Sequence, residues 1–362
     1  MMNMFLALKE MRYAKLRYGL IIGIMLLVSY VVFLLSGLAS GLAQEFMQAA
    51  DDWQADTVVL AKDANKSLNA SQLTLQDFND VKTTSKKAPI SIYNGAAKLD
   101  KKTTDITLFG TSSDAFMLPK VTKGSNDLKK NDIIISQNLA DEGYQIGDKI
   151  TIGKYEEKLT VVGIFKATYY TVTPVIYADT ETFVNVKYNG QLPQDNTQMP
   201  INGILVKKGS PDLTSDQKED LDALSLSDFI EAIPGYSAQN LTLNGMIYFL
   251  FIVVTAVIGI FMYVMTLQKT ATFGIMKAEG ISTGFIAKSI IAQSFMVGVM
   301  GVIGAAVLAF LTSLILPSAM PFQIVTNDWL LYGVVLIVVA VIGGLFSIRT
   351  VTKVDPITAI GG

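Results

Sequence analysis

The sequence predicts a helical membrane protein: four transmembrane helices, with an α+β domain outside the membrane inserted after the first. Three observations predict it. Four long apolar runs carry no charge, one polar block (residues 45–242) separates the first run from the other three, and Lys and Arg gather on alternate connecting segments. Over the whole chain 51% of residues are hydrophobic and 17% are charged, against about 25% charged in soluble domains.

A hydrocarbon core about 30 Å thick needs about 20 apolar helical residues. Residues 19–44, 243–267, 289–316 and 329–348 each supply such a run. The first has no charge between Arg17 and Glu45, and the fourth is closed by Arg349. The first run is too long for the apolar region of a cleavable signal peptide, about 7–15 residues, and no clear small-residue cleavage site follows it, so it reads as a signal anchor.

Orientation follows from Lys and Arg at the span ends. Lys9, Arg12, Lys15 and Arg17 precede the first run, Lys269, Lys277 and Lys288 lie between the second and third, and Arg349 and Lys353 follow the fourth. The loop 317–328 has neither residue type. This places 1–18, 268–288 and the tail 349–362 on the cytoplasmic side of the plasma membrane, with both termini inside, and 45–242 and 317–328 outside. The outer block holds 20 Lys and no Arg against 27 Asp and Glu.

Within that block, short β-rich runs predict strands at Thr57–Leu60, Ile106–Phe109, Ile133–Ser136, Lys149–Ile152, Leu159–Phe165, Val172–Tyr177 and Ile204–Val206. Helices are expected at Ser71–Val81 and Thr214–Leu224, a short one begins at Ser136, and Gly147-Asp148 reads as a turn. Mixed short strands and helices make the domain α+β. Glu45–Asp56 is expected to continue the first helix past the bilayer, with Phe46 and Trp53 at or just above the interface. No internal repeat is visible.

Absences narrow the function. The chain has no Cys and no His and a net charge of −2. Thiolate metal sites, His-based triads and zinc-protease motifs are therefore excluded, nucleic-acid binding is not suggested, and no enzyme motif remains. There is no phosphate-binding loop, so ATP would be used by a separate subunit. No span contains Asp, Glu, Lys or Arg, which argues against proton-coupled antiport. Four helices are few to enclose a solute path, so a second copy is expected. Gly37 and Gly41, four residues apart in the first span, form a small-residue face suited to a close helix contact.

Three segments carry a family resemblance. QKTATFGIMKAEGISTG at 268–284, VDPITAIGG at 354–362, and ISQNLADEGYQIGDKITI at 135–152 followed by LTVVGIF at 159–165 resemble the FtsX/MacB-type permeases of ABC transporters. The resemblance implies one span, a large outer domain and three further spans, working by mechanotransmission with a cytoplasmic ABC ATPase. The ATPase would dock on the loop between the second and third spans. There Phe273, Ile275 and Met276 offer apolar contacts, Lys277 and Glu279 a polar rim, and Gly274 and Gly280 turn-permissive positions.

Within that family, LALKEMRYAKLRYGLII at 6–22, LLSGLASGL at 34–42, YVMTLQKTATFGIMKAEGI at 263–281 and LPSAMPF at 316–322 resemble the permeases of haem exporters of Gram-positive bacteria. That resemblance implies haem as the transported substrate, taken from the bilayer, with no intrinsic cofactor. Without His or Cys the axial ligands left for haem iron are Tyr and Met. Tyr169, Tyr170 and Tyr236, with Phe46, are the expected contacts, where the outer domain meets the membrane; Met25, Met246 and Met265 are weaker alternatives. Two other functions stay open: export of another amphiphile or peptide antibiotic, and an FtsX-like transducer that moves an outer partner.

Overall fold

The computed structural model describes residues 9–317 and 320–352. The terminal 354–362 motif and Lys353 lie outside the described residues. The chain divides into a helical unit, built from residues up to Gly41 and from Asn240 onward, and an inserted unit, Leu42–Gln239.

Among the described residues, four helices are long and apolar enough to cross a membrane: Lys15–Asp52, Tyr236–Gln268, Thr283–Ser313 and Thr326–Ile348, the last continuing to Thr352. They are called here the first to fourth long helices. The shortest spanning stretch has 23 residues, about 35 Å at 1.5 Å per residue. A third or less of each apolar stretch is covered by the rest of the protein. Ile252, Ile260, Ile303, Val334 and Phe346 stand exposed, an arrangement that water would penalise and lipid does not. Where the helices do touch, small residues let them approach. A Cβ on Gly343 would lie 2.8 Å from the Thr255 carbonyl oxygen, and one on Gly298 would lie 3.2 Å from the Ala340 Cβ.

Gly37 and Gly41 are not free for another helix, contrary to the small-residue expectation. Both are buried under the segment that precedes the fourth long helix. A Cβ on Gly37 would fall 2.3 Å from the Phe322 ring, and one on Gly41 would fall 2.4 Å from the Pro321 backbone. The Gln323 amide donates to the Gly37 carbonyl at 3.0 Å. The close approach exists, but a loop of the same chain makes it. Gly41→Leu is therefore expected to cost about 1–3 kcal/mol by overpacking against backbone that cannot yield. Gly37→Leu should cost less, and adding Phe322→Ala should relieve it. Thermal unfolding of the detergent-solubilised protein checks this order; equal melting temperatures for all variants would contradict it.

The inserted unit is built on thirteen strands: β1 Thr57–Ala61, β2 Leu73–Thr74, β3 Lys87–Leu99, β4 Lys102–Thr111, β5 Val121–Gly124, β6 Asp132–Ser136, β7 Lys149–Ile152, β8 Tyr155–Phe165, β9 Tyr169–Tyr170, β10 Thr173–Asp179, β11 Pro200–Ile201, β12 Gly203–Val206 and β13 Leu221–Ser225. Eleven form one mixed sheet in the order β13-β1-β12-β3-β4-β10-β6-β8-β5, with β7 pairing β3 and β8, and β9 pairing β10. β10 runs parallel to β4, and β6 parallel to β8. The expected strands are present at all seven places.

Two expected helices are shorter than the sequence pattern suggests. Leu75–Asp80 begins only where Thr74 and Asp77 form a capping box, because Leu73 and Thr74 are held as a strand against Pro200 and Ile201. In 214–224 only Gln217–Asp220 is helical. Leu221–Ser225 is a strand instead, paired along β1 from Thr57↔Ser225 to Ala61↔Leu221, which buries Leu221 and Leu224.

The first long helix stops at Asp52 rather than Asp56, and Gln54 follows at φ 55°. Its extension carries Trp53 into the core of the inserted unit, not to a membrane interface. Trp53 is fully buried, with its ring 5.4 Å from Phe109, 6.1 Å from Tyr170 and 5.8 Å from Phe229. Aromatic packing from three distant segments outweighs the interfacial preference of a lone Trp.

Candidate functional site

Of the residues expected to meet substrate, Phe46 lies on the Glu45–Gln48 turn of the first long helix, Tyr236 packs against it, and Tyr169 is tied to it through its backbone amide, all within the inserted unit. The β9–β10 hairpin reaches that turn. Tyr170 pairs with Thr173, leaving Thr171 and Val172 as a two-residue turn with φ of 48° and 67°. Such turns need positive φ at both positions and favour Asn-Gly; two β-branched residues there are strained. The helix holds them. The Thr171 amide donates to the Phe46 carbonyl and the Val172 amide to the Glu45 carbonyl, both at 3.1 Å. Gln48 brackets the strand before the turn: its Nε2 donates to the Ala167 carbonyl at 2.9 Å and its Oε1 accepts from the Tyr169 amide at 3.2 Å.

Tyr236 opens the second long helix. Gly235 precedes it at φ 90°, and a Cβ there would lie 3.3 Å from the Phe46 ring, so the position suits glycine twice over. The Tyr236 ring is tilted against Phe46 with centroids 6.4 Å apart, and its hydroxyl donates to Met47 Sδ at 3.6 Å. Phe46, Met47 and Tyr236 are half-buried at the edge of the core.

The two adjacent tyrosines of β9 separate, as neighbours on a strand must. Tyr169 is half-buried, and burial foremost raises its phenol pKa, against a lowering hydrogen bond from Asn138. Tyr170 is only 3% exposed, packed on Trp53 and Phe109, and burial alone pushes its phenol far up. Tyr170 is core, which removes it from the expected substrate contacts. Of the methionines expected as alternatives, Met25 and Met265 are buried in the helical unit and Met246 is exposed there. Met47, not anticipated, is the one beside a tyrosine hydroxyl. Its signal was its place next to Phe46. A cavity of about 210 Å³ is lined by Lys66, Asn69, Asn94, Tyr170, Thr171 and Ile233 among others, and by none of Phe46, Met47, Tyr169 and Tyr236.

A second group of expected residues lies in the helical unit, on the short helix Thr270–Ala278 between the second and third long helices. Its end is fixed by a Schellman arrangement: the Ile281 amide donates to the Met276 carbonyl at 2.9 Å and the Gly280 amide to the Lys277 carbonyl at 3.0 Å. Gly280 sits at φ 87°, a conformation that favours glycine. Ser282 then caps the third long helix by accepting from the Phe285 amide. Of the expected contact residues, Phe273 is 4% exposed and packs into the helical unit's own core, with Gly274 buried beside it. Phe273 therefore cannot offer its ring to a partner. Ile275 is 49% exposed, Glu279 and Gly280 are exposed, and Met276 and Lys277 are half-buried. A cleft of about 1130 Å³ lies between residues 9–17 and Lys269 and Thr272.

Comparison with known proteins bears on both groups. Residues 18–224 match the MacB-like periplasmic core domain, and residues 244–356 match the FtsX-like permease C-terminal domain. The chain belongs to the MacB/FtsX-type permeases of ABC transporters. As such the permease is a multi-pass, non-catalytic membrane subunit that works with a partner ATPase. It is 32% identical over 99% of both chains to a Staphylococcus epidermidis protein provisionally named hemin transport system permease protein HrtB. It is 29% identical, over the same shares, to its Staphylococcus haemolyticus namesake. The periplasmic region of MacB from Actinobacillus actinomycetemcomitans aligns with 53% of the permease and 98% of its own length, at 13% identity and a TM-score of 0.36.

Proposed function

We propose that the permease exports haem, which enters at the cluster of Phe46, Met47, Tyr169 and Tyr236. The observation that carries this reading is the meeting of the Tyr236 hydroxyl, the Met47 thioether and the Phe46 ring on one helical turn, to which the Tyr169 backbone is also tied, in a chain about 30% identical to relatives named for hemin transport. The cluster supplies what haem needs from a protein without His or Cys: oxygen and sulfur donors for iron, and an apolar wall for the ring. It stands on the last turns of the first long helix and the first residue of the second, close in sequence to both apolar stretches. We assign the inserted unit to the outer face of the plasma membrane of a Gram-positive bacterium, both chain ends to the cytoplasm, and the working state to two copies with one ATPase docked on each short helix. Ile275 and Glu279 are the exposed contacts for that ATPase, flanked by Met276 and Lys277.

Haem titration of the purified permease, followed by absorbance, tests the site. Tyr169 carries a neutral phenol at neutral pH, its pKa being raised chiefly by burial. Iron must displace that proton, so affinity through this oxygen rises with pH, by about tenfold per unit while the phenol remains protonated. Tyr169→Phe with Tyr236→Phe should weaken binding about tenfold or more and flatten the pH dependence. Wild-type affinity in the double variant, with its pH slope intact, would remove the tyrosines from the site.

A further inference from the structure

The third long helix carries a polar side chain, Gln293, that neither the aromatic cluster nor the short helix uses. It is 4% exposed, and a buried amide in an apolar bundle is costly unless partnered. Its partners come from separate segments. Gln293 Nε2 donates to Glu10 Oε2 and also to Ser289 Oγ at 3.3 Å, while its Oε1 accepts from the buried Tyr18 hydroxyl at 2.5 Å. The same Glu10 oxygen pairs with Lys269 Nζ at 3.0 Å, both side chains being 23% exposed. Lys269 is the residue immediately before the short helix Thr270–Ala278, and its ammonium lies 5.8 Å from the centre of the Tyr18 ring. One step further out, Arg17 Nη1 donates to Gln268 Oε1 at 2.5 Å.

We infer that Glu10, Lys269, Gln293 and Tyr18 form a polar joint that makes the short helix, the first long helix and the third long helix move as one body. The geometry favours this over simple adhesion. Apolar side chains would hold a bundle together as well or better, whereas a charged and hydrogen-bonded set fixes one register among the elements it joins. The set is also placed for transmission: Lys269 sits at the root of the short helix, and Gln293 and Tyr18 lie on the two helices whose displacement would carry a push across the membrane. In sequence order the joined residues stand at 10, 18, 269 and 293, so no local motif announces them. These are positioning residues. The inference rests on the reading that an ATPase pushes the short helix.

The chain has no cysteine, so a single label can report motion. Leu314→Cys, just beyond the third long helix and exposed, is labelled in the full permease reconstituted with its ATPase, and the signal change on adding ATP is measured. Glu10→Gln, Lys269→Met and Gln293→Leu should each reduce that change roughly three- to thirtyfold, while the ATPase still co-purifies. The charge exchange Glu10→Lys with Lys269→Glu should restore part of it, the ion pair without the Gln293 Nε2 bond that a lysine cannot accept, a recovery that lost packing would not give. A full signal in the single variants, or an exchange no better than either single change, overturns the joint. Loss of ATPase co-purification in the single variants also overturns it, because those residues would then belong to the docking surface. Absence of any ATP response in the unmodified joint overturns the ATPase reading on which it rests.

Discussion

Replacing Trp53 by alanine is expected to destabilise the inserted unit by about 3–5 kcal/mol, the range for deleting a buried aromatic side chain. The ring is fully buried and touches Phe109 on β4, Tyr170 on β9 and Phe229 from the segment after β13. Those contacts join the end of the first long helix to three parts of the domain far apart in sequence. Little is free to collapse into the gap, since Phe109 is itself packed on Tyr170 and Tyr177 at 5.2 and 5.5 Å. Amide hydrogen exchange on the whole permease provides the measurement. Protection along β4 and β10 should fall by roughly two to three orders of magnitude, and Trp53→Phe should lose much less. Unchanged protection in Trp53→Ala would mean that the helix end does not support the domain.

The second large effect concerns the short helix. Ile275→Asp is expected to weaken association with the ATPase by about 2 kcal/mol or more, roughly thirtyfold, the loss for a central apolar contact. Ile275 is exposed, so the change leaves the permease's own core intact and should alter its stability by no more than about 0.5 kcal/mol. Phe273 and Gly274 make the contrast. An aspartate at either position enters the helical unit's core and should lower the amount of folded permease as well as its coupling. Co-purification of the ATPase with equal amounts of membrane-inserted Ile275→Asp and wild-type permease separates the two effects. Full recovery of the ATPase would move the docking surface away from Ile275.

Much of the helical unit is legible in the sequence because membrane spans are announced by length and the absence of charge, which need no knowledge of partners. Strands with alternating or continuous β-branched residues are legible for the same local reason. What escapes the sequence depends on distant partners. Leu221–Ser225 has a pattern that suits a helix until β1, some 160 residues earlier, offers an edge. Trp53 reads as an interfacial aromatic until Phe109, Tyr170 and Phe229 are brought around it. Gly37 and Gly41 correctly signal a close approach, but nothing local says that Pro321 and Phe322 make it. At the site, alternation along a strand already implies that Tyr169 and Tyr170 face opposite ways; only the fold says that Tyr170 is the inner one. In the short helix, likewise, Phe273 and Ile275 lie too far around the helix to face one partner, and the fold assigns Phe273 to the protein's own core.

ATP-driven export of haem through the cluster on the first long helix is the proposed activity. Its most direct test is the loss of haem from proteoliposomes that contain the permease and its ATPase, followed by haem absorbance after ATP is added. Haem should leave the bilayer with wild-type permease, and should remain with Ile275→Asp and with Phe46→Ala combined with Tyr236→Ala. Retention of haem by the wild type would contradict haem export, and its equal departure with the cluster variant would contradict passage through the cluster.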